Sequence, residues 1–205
     1  MSYFPMFVEL KEKKCLIVGG GRIALRKAEA LSDFGAEILV EAPEILPEIA
    51  DVRGVRCRRK AFEDGDVLQQ DLVVAATDDA QLNHRVSVAC QKADIPVNAV
   101  DQTKDCTFIF PAYLKEGEVV AAFSSGGTSP VTAQYLKEQT RPVLTPLVGE
   151  LAACLGSLRD RMRQCTKTES ERKRIYRELF HLGLEQGGIS EEEIARIICK
   201  YSSLF

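Results

Sequence analysis

Apolar positions along this chain change their period twice, and each change marks a different kind of structure. Lys14 to Gly20 (KCLIVGG) is a short apolar run that ends in glycine and predicts a buried strand. In the next segment, Arg22 to Phe34, Ile23, Ala24, Ala28 and Leu31 fall on one helical face, and Gly35 can end that helix. Ala36 to Glu41, Val55 to Arg58, Asp71 to Ala76 and Ile95 to Val100 read as four further strands, with a helix over roughly Asp79 to Ala93. Strands alternating with helices predict an α/β fold, a Rossmann-type parallel sheet covered on both faces.

From residue 107 the alternation stops. Thr107 to Ala112 and Val119 to Phe123 read as a hairpin turning at Lys115 to Glu118, followed by a helix to about Thr140. Two prolines then break the chain in Arg141 to Pro146. Beyond them Leu147, Leu151, Leu155, Leu158 and Met162 form one helical stripe, and Thr166 to Glu178 reads as a solvated helical face. Gly187-Gly188 stops this run, and Ser190 with Glu193 forms a capping-box pattern ahead of Ile194, Ile197 and Ile198. The predicted organisation is a dinucleotide-binding domain over 1–106, a small α+β segment over 107–145 and an all-helical region over 146–205.

Composition narrows the function. With 45% hydrophobic and 28% charged residues over 205 positions, the chain can bury an ordinary core. A net charge of −3 argues against a general nucleic-acid partner. No apolar run approaches the ~20 residues that span a bilayer, and the N-terminus lacks a signal-peptide core, so no membrane partner is expected. Cysteines at 15, 57, 90, 106, 154, 165 and 199 are odd in number, widely spaced and free of C-x-x-C, which predicts reduced thiols in the cytoplasm. No His/Cys cluster has a metal-ligand spacing, so no resident metal is expected.

Gly19-Gly20-Gly21-Arg22-Ile23-Ala24 fits G-x-G-x-x-A between a strand and a helix. Gly19 would allow the tight turn, Gly21 the approach of a pyrophosphate and Ala24 close helix packing. Helix-start N–H groups would meet the phosphate charge. Glu41 ends the second strand, twenty positions after Gly21, where an acidic residue binds a ribose 2′-hydroxyl. A carboxylate there would repel a 2′-phosphate, so the expected cofactor is NAD rather than NADP. Ala76 and Thr77 lie at the end of the fourth strand, where Thr77 can donate to the cofactor, and Asp78 or Asp79 can cap the next helix. His84, one of two histidines, reads as structural. Asp101 closes the fifth strand. It can serve as a general base, orient a substrate N–H, or simply end a strand, and its position leaves these readings open.

The strings VGGGRIALRKAEAL, EAPE, AATDDAQLN, PVNAVD, FIFPA and SSGGTSP, in this order, resemble the precorrin-2 dehydrogenase family, in some organisms the N-terminal part of siroheme synthase. The chain resembles its stand-alone form. That resemblance implies hydride transfer from precorrin-2 to NAD, giving sirohydrochlorin, with Asp101 as the family's key aspartate and Ser125 as its active-site serine. It also implies a homodimer in which the segment Thr107 to Thr140 exchanges across the two-fold axis. Two alternatives stand beside it. One is a bifunctional enzyme that also inserts Fe2+ into sirohydrochlorin, the iron held mainly by the macrocycle. The other is a non-catalytic dinucleotide-sensing module.

The stretch Ser124-Ser125-Gly126-Gly127-Thr128-Ser129-Pro130 reads first as a turn with a good cap, since Thr128 or Ser129 can cap the helix and Pro130 suits its first turn. With the implied substrate, Ser124, Ser125, Gly126, Gly127 and Thr128 also seat a tetrapyrrole carboxylate through N–H and hydroxyl donors.

Overall fold

A computed structural model of the chain describes residues 3–202, so the outermost residues of the first and last predicted segments lie outside the described residues. Two compact units emerge, Met1–Phe110 and Pro111–Phe205.

The first unit is a five-stranded sheet of β1 (Lys14–Val18), β2 (Glu37–Glu41), β3 (Val55–Arg58), β4 (Leu72–Ala75) and β5 (Val97–Ala99), with every pairing parallel and the spatial order β3-β2-β1-β4-β5. The order reverses between β1 and β4, which opens the crevice where such sheets bind ligands. Alternate side chains of each strand enter different cores. Cys15, Ile17, Ile38, Val40 and Val74 pack against Ala24, Ala28 and Leu31 of helix α1 (Arg22–Ser32) and Ile49 of α2 (Pro47–Ala50). Leu16, Val18, Val73, Ala75 and Val97 face Val86, Ala89 and Cys90 of α3 (Ala80–Lys92). Burial on both faces explains why these strands read as continuous apolar runs.

Single-turn helices at Asp64–Val67 and Thr103–Asp105, and the short α2, are too brief to leave a periodic signal. The predicted hairpin needs correction. Its first strand is β6 (Ala112–Glu116), paired antiparallel with β7 (Val119–Phe123). Thr107 instead runs beside β5, where its N–H donates to Val97 O (2.8 Å) and its hydroxyl accepts from Val97 N–H (2.8 Å). The turn is Gly117-Glu118, with Gly117 at φ +58°.

In the second unit the hairpin is followed by α4 (Pro130–Thr140), α5 (Pro146–Ser157), α6 (Arg159–Cys165), α7 (Glu169–Gln186) and α8 (Glu191–Ser202). The leucine stripe bends at Leu158, which ends α5 and precedes α6. Leu158, Met162, Ile175, Leu179, Ile194, Ile197 and Ile198 make one core, so the charged run of α7 is solvated on one side only. The capping box opens α8, with Ser190 N–H donating to Glu193 Oε2 (2.9 Å) and Glu193 N–H to Ser190 Oγ (3.3 Å). Among the described residues no helix is long and apolar enough to cross a membrane, and no two of the seven cysteines pair.

Candidate active site

The glycine loop leaves β1 at Val18 and enters α1 at Arg22. Gly19 has φ +124°, and a side chain there would run into the Ala76 carbonyl at the end of β4. At Gly20 a Cβ would collide with the Glu44 carbonyl. Gly21 is different: nothing lies within 4 Å of a Cβ built on it. It is the N-cap of α1, and no side chain caps the helix, so its first N–H groups face open space. The three glycines therefore divide their work. Two allow backbone to pack on backbone, and the third keeps clear the space a phosphate needs beside a helix N-terminus.

Glu41 ends β2 directly beside this loop, and its carbonyl accepts from Gly19 N–H (2.9 Å). Its carboxylate is fully buried. Arg58, its register partner on β3, donates to Oε2 from both Nε and Nη2. Lys60 Nζ stands 4.0 Å from Oε1, and that oxygen has no hydrogen-bond partner among the described residues. Burial and the neighbouring Asp66 carboxyl push Glu41 up to about 7 against the pull of Arg58. Glu41, Ala42, Pro43, Phe62, Thr77 and Arg85 are among the residues around a pocket of about 170 Å³ at this end of the sheet.

Thr77 follows β4, after the buried Ala76. Its hydroxyl donates to Asn83 Oδ1 (2.8 Å) or Asp79 O (3.0 Å) and accepts from Asp79 N–H (3.2 Å). The side chain thus shapes its own loop, and it is not the free donor to a cofactor that its position predicted. Asn83, 3% exposed, completes the arrangement by also accepting from Thr77 N–H (3.1 Å) and donating to Thr77 O (3.0 Å). Asp79, and not Asp78, caps α3, accepting from Gln81 and Leu82 N–H. His84 Nδ1 lies 3.0 Å from the buried Asp105 carboxylate, which fits its structural reading.

Asp101 stands in the turn after β5, on the carboxyl side of the sheet. It is exposed, has φ +60°, and takes no side-chain partner among the described residues. Glu12, Gln69 and Asp94 are also left-handed, a conformation aspartate adopts readily, so Asp101 stands out by its place, a carboxylate without a partner at the carboxyl end of the sheet. Lys27 of α1 lies 3.6 Å over the Phe110 ring, and burial lowers it to about 8.

In the second unit, the loop between β7 and α4 sorts its hydroxyls by role. Ser124 Oγ accepts from Gly126 N–H (3.0 Å) and Ser125 Oγ from Ser129 N–H (2.9 Å), so both keep a proton to donate. Thr128 spends its proton on Ser125 O (2.7 Å), which removes it from the predicted donors. The caps also resolve, with Ser129 and not Thr128 accepting from Thr132 N–H. Gly126 and Gly127 take φ +65° and +85°, which the turn requires.

Sequence reasoning did not assign Arg58, Lys60, Asp66, Asn83, Asp105 or Lys27. The run Arg56-Cys57-Arg58-Arg59-Lys60 carried a signal, an unusual density of cations at a strand end, but its partner could be named only once β2 and β3 were in register.

Against known proteins, residues 6–112 match the family model described as "Putative NAD(P)-binding". The siroheme synthase of Sodalis glossinidius is 35% identical over 202 residues, 95% of this chain and 43% of that protein. That of Methylococcus capsulatus is 39% identical over 179 residues, 86% of this chain and 38% of that protein. The chain thus spans about two fifths of the length of these curated relatives. A solved structure titled "SirC, precorrin-2 dehydrogenase" superposes with a TM-score of 0.74 at 24% identity, covering 98% of this chain and 100% of that one, and so has the same fold.

Proposed function

The chain belongs to this NAD(P)-binding family, and from that premise we propose that it oxidises precorrin-2 to sirohydrochlorin with NAD as the hydride acceptor. Support comes from the siroheme synthases that match nearly its whole length. The observation that carries the reaction is Asp101, an unpartnered carboxylate beyond the carboxyl end of β5, in the same unit as the glycine loop.

The residues present fit a dinucleotide. Gly21 keeps a space that any side chain would fill, the N-terminus of α1 is uncapped, and Glu41 Oε1 is an orphaned buried acceptor. When bound, the nicotinamide supplies the two-electron chemistry by accepting a hydride. Gly21 and the N–H groups of Arg22 and Ile23 at the start of α1 would hold the pyrophosphate, while Gly19, Gly20 and the buried Ala24 set the backbone around it. Glu41 Oε1 would accept the ribose 2′-hydroxyl, which favours NAD over NADP. Asp101 would take the proton that the macrocycle loses as its new double bond forms, or hold a pyrrole N–H in place. Ser124 and Ser125, each with a proton to give, would bind a rim carboxylate of the substrate at the N-terminus of α4. Val131 and Tyr135 leave an apolar face on α4 that suits a homodimer contact. Seven cysteines that form no disulfide among the described residues suit the cytoplasm.

The deciding assay follows NADH absorbance with precorrin-2 as substrate. Wild type should turn over, and Asp101→Asn should lose turnover while binding NAD with unchanged affinity. Turnover in the variant would take Asp101 out of the chemistry. NAD binding without NADH formation by wild type would leave the sensing module as the better reading.

A further inference from the structure

Four charges meet where the ribose would lie, and their burial is uneven. The Glu41 carboxylate is fully buried, and Asp66 is 10% exposed at its side chain. The cations that neutralise them are more open, Arg58 at 43% and Lys60 at 31%. Arg58 Nη2 bridges the two acids, lying 3.1 Å from Asp66 Oδ1, and Lys60 Nζ is 2.9 Å from the same oxygen. Glu63 adds an exposed carboxylate 3.5 Å from Lys60.

An arginine and a lysine at the end of β3, beside the end of β2, form the donor set that takes a ribose 2′-phosphate in folds of this kind. Here each faces solvent but has its charge cancelled from beneath. Direct repulsion of the phosphate by Glu41 is a weak account, because the charge of that carboxylate is already paired with the Arg58 guanidinium.

We infer that Arg58 and Lys60 are a 2′-phosphate site held shut by Glu41 and Asp66, and that this neutralisation, rather than carboxylate repulsion, sets the choice of NAD over NADP. The inference rests on the proposed dinucleotide function and adds to it the residues that determine cofactor specificity. Without Glu41, the cluster of Glu41, Glu63, Asp66, Arg58 and Lys60 has one carboxylate fewer against its two cations, and Arg58 can turn outward. A phosphate gaining one charge-assisted contact there should bind about tenfold tighter.

The test is calorimetric titration of the full chain with NAD and with NADP, read as Kd and independent of turnover. Glu41→Gln should tighten NADP about tenfold and weaken NAD by a smaller factor. The double variant Glu41→Gln, Arg58→Gln should lose that gain. Direct repulsion predicts the opposite for the double variant, in which the gain would persist. Because removing one partner of a buried pair can unfold a protein, Asp66→Asn serves as a second probe. It releases Lys60, leaves the Glu41–Arg58 pair in place, and should tighten NADP severalfold with NAD unchanged. Unchanged NADP affinity in the folded variants, or a gain that survives loss of Arg58, overturns the inference while wild-type NAD binding leaves the dinucleotide reading standing. A wild-type chain that binds neither dinucleotide overturns both.

Discussion

Replacing Gly21 by alanine should separate folding from cofactor binding, with Gly19→Ala as its counterpart. A Cβ at Gly21 meets nothing within 4 Å, and its backbone angles, φ −90° and ψ −169°, suit any residue. Alanine is a poorer N-cap than glycine by up to about 1 kcal/mol, but it also restricts the unfolded chain by ~0.4–1 kcal/mol. These effects nearly cancel, so the melting temperature should hold within about 2 °C. The methyl group would occupy space that the pyrophosphate needs, and with it goes the close approach to the α1 N–H groups. A loss of about 3 kcal/mol, on the order of 100-fold in NAD affinity, is the expected cost. At Gly19, a Cβ would sit 2.7 Å from the Ala76 carbonyl carbon and 3.1 Å from Thr77 N, at a φ of +124° that alanine resists. Backbone must move there, at roughly 2–4 kcal/mol, lowering the melting temperature on the order of 10 °C. Fluorescence titration with NADH and scanning calorimetry on both variants supply the readouts. Wild-type affinity in Gly21→Ala would refute the reasoning, as would an unperturbed melting temperature in Gly19→Ala.

Lys27 makes stability depend on alkaline pH. Its value in the fold, about 8, lies below the ordinary 10.5, so between these values the unfolded chain holds a proton that the folded chain has released. Stability should therefore rise as pH increases through that window. Lys27→Met should flatten the rise in urea midpoints measured at both ends of the window, and an identical slope would contradict this origin. On α4, Val131 and Tyr135 are 77% and 60% exposed, one helical turn apart on the same face. Replacing both with lysine should convert the proposed dimer to monomer by light scattering, with helix content unchanged. A variant that stays dimeric would move the interface elsewhere.

Much of the first unit can be read along the chain, because its determinants are local. Apolar runs bounded by glycine predict strands, a 3.6-residue period predicts α1 and α3, and Asp79 and the Ser190–Glu193 pair mark helix starts within four residues of sequence. In the hairpin only the first strand lies elsewhere, at Ala112–Glu116, while the second, Val119–Phe123, matches its expected bounds. Thr107 to Pro111 has the apolar, β-branched composition of a strand, but its hydrogen bonds go to β5 and its neighbours. The functional loop is legible as a motif, with Gly19 for the turn and Gly21 for the pyrophosphate, but the need for glycine at position 20 is not. Gly19 and Gly20 are required by carbonyls at Ala76 and Glu44, far along the chain, and only Gly21 is left open for a ligand.

The sequence alone therefore determined the α/β class, the dinucleotide loop, the acid at the end of β2 and the carboxylate after β5. Each depends on residue type and spacing over a few turns of chain. Tertiary structure decided which polar groups remain available. Parallel register set Arg58 against Glu41, the turn after β5 placed Asp101 left-handed and unpartnered, and the loop before α4 left protons on Ser124 and Ser125 but took the one on Thr128. A donor or acceptor is free only when every neighbour has been placed around it, and those neighbours come from strands and turns that sequence spacing does not bring together.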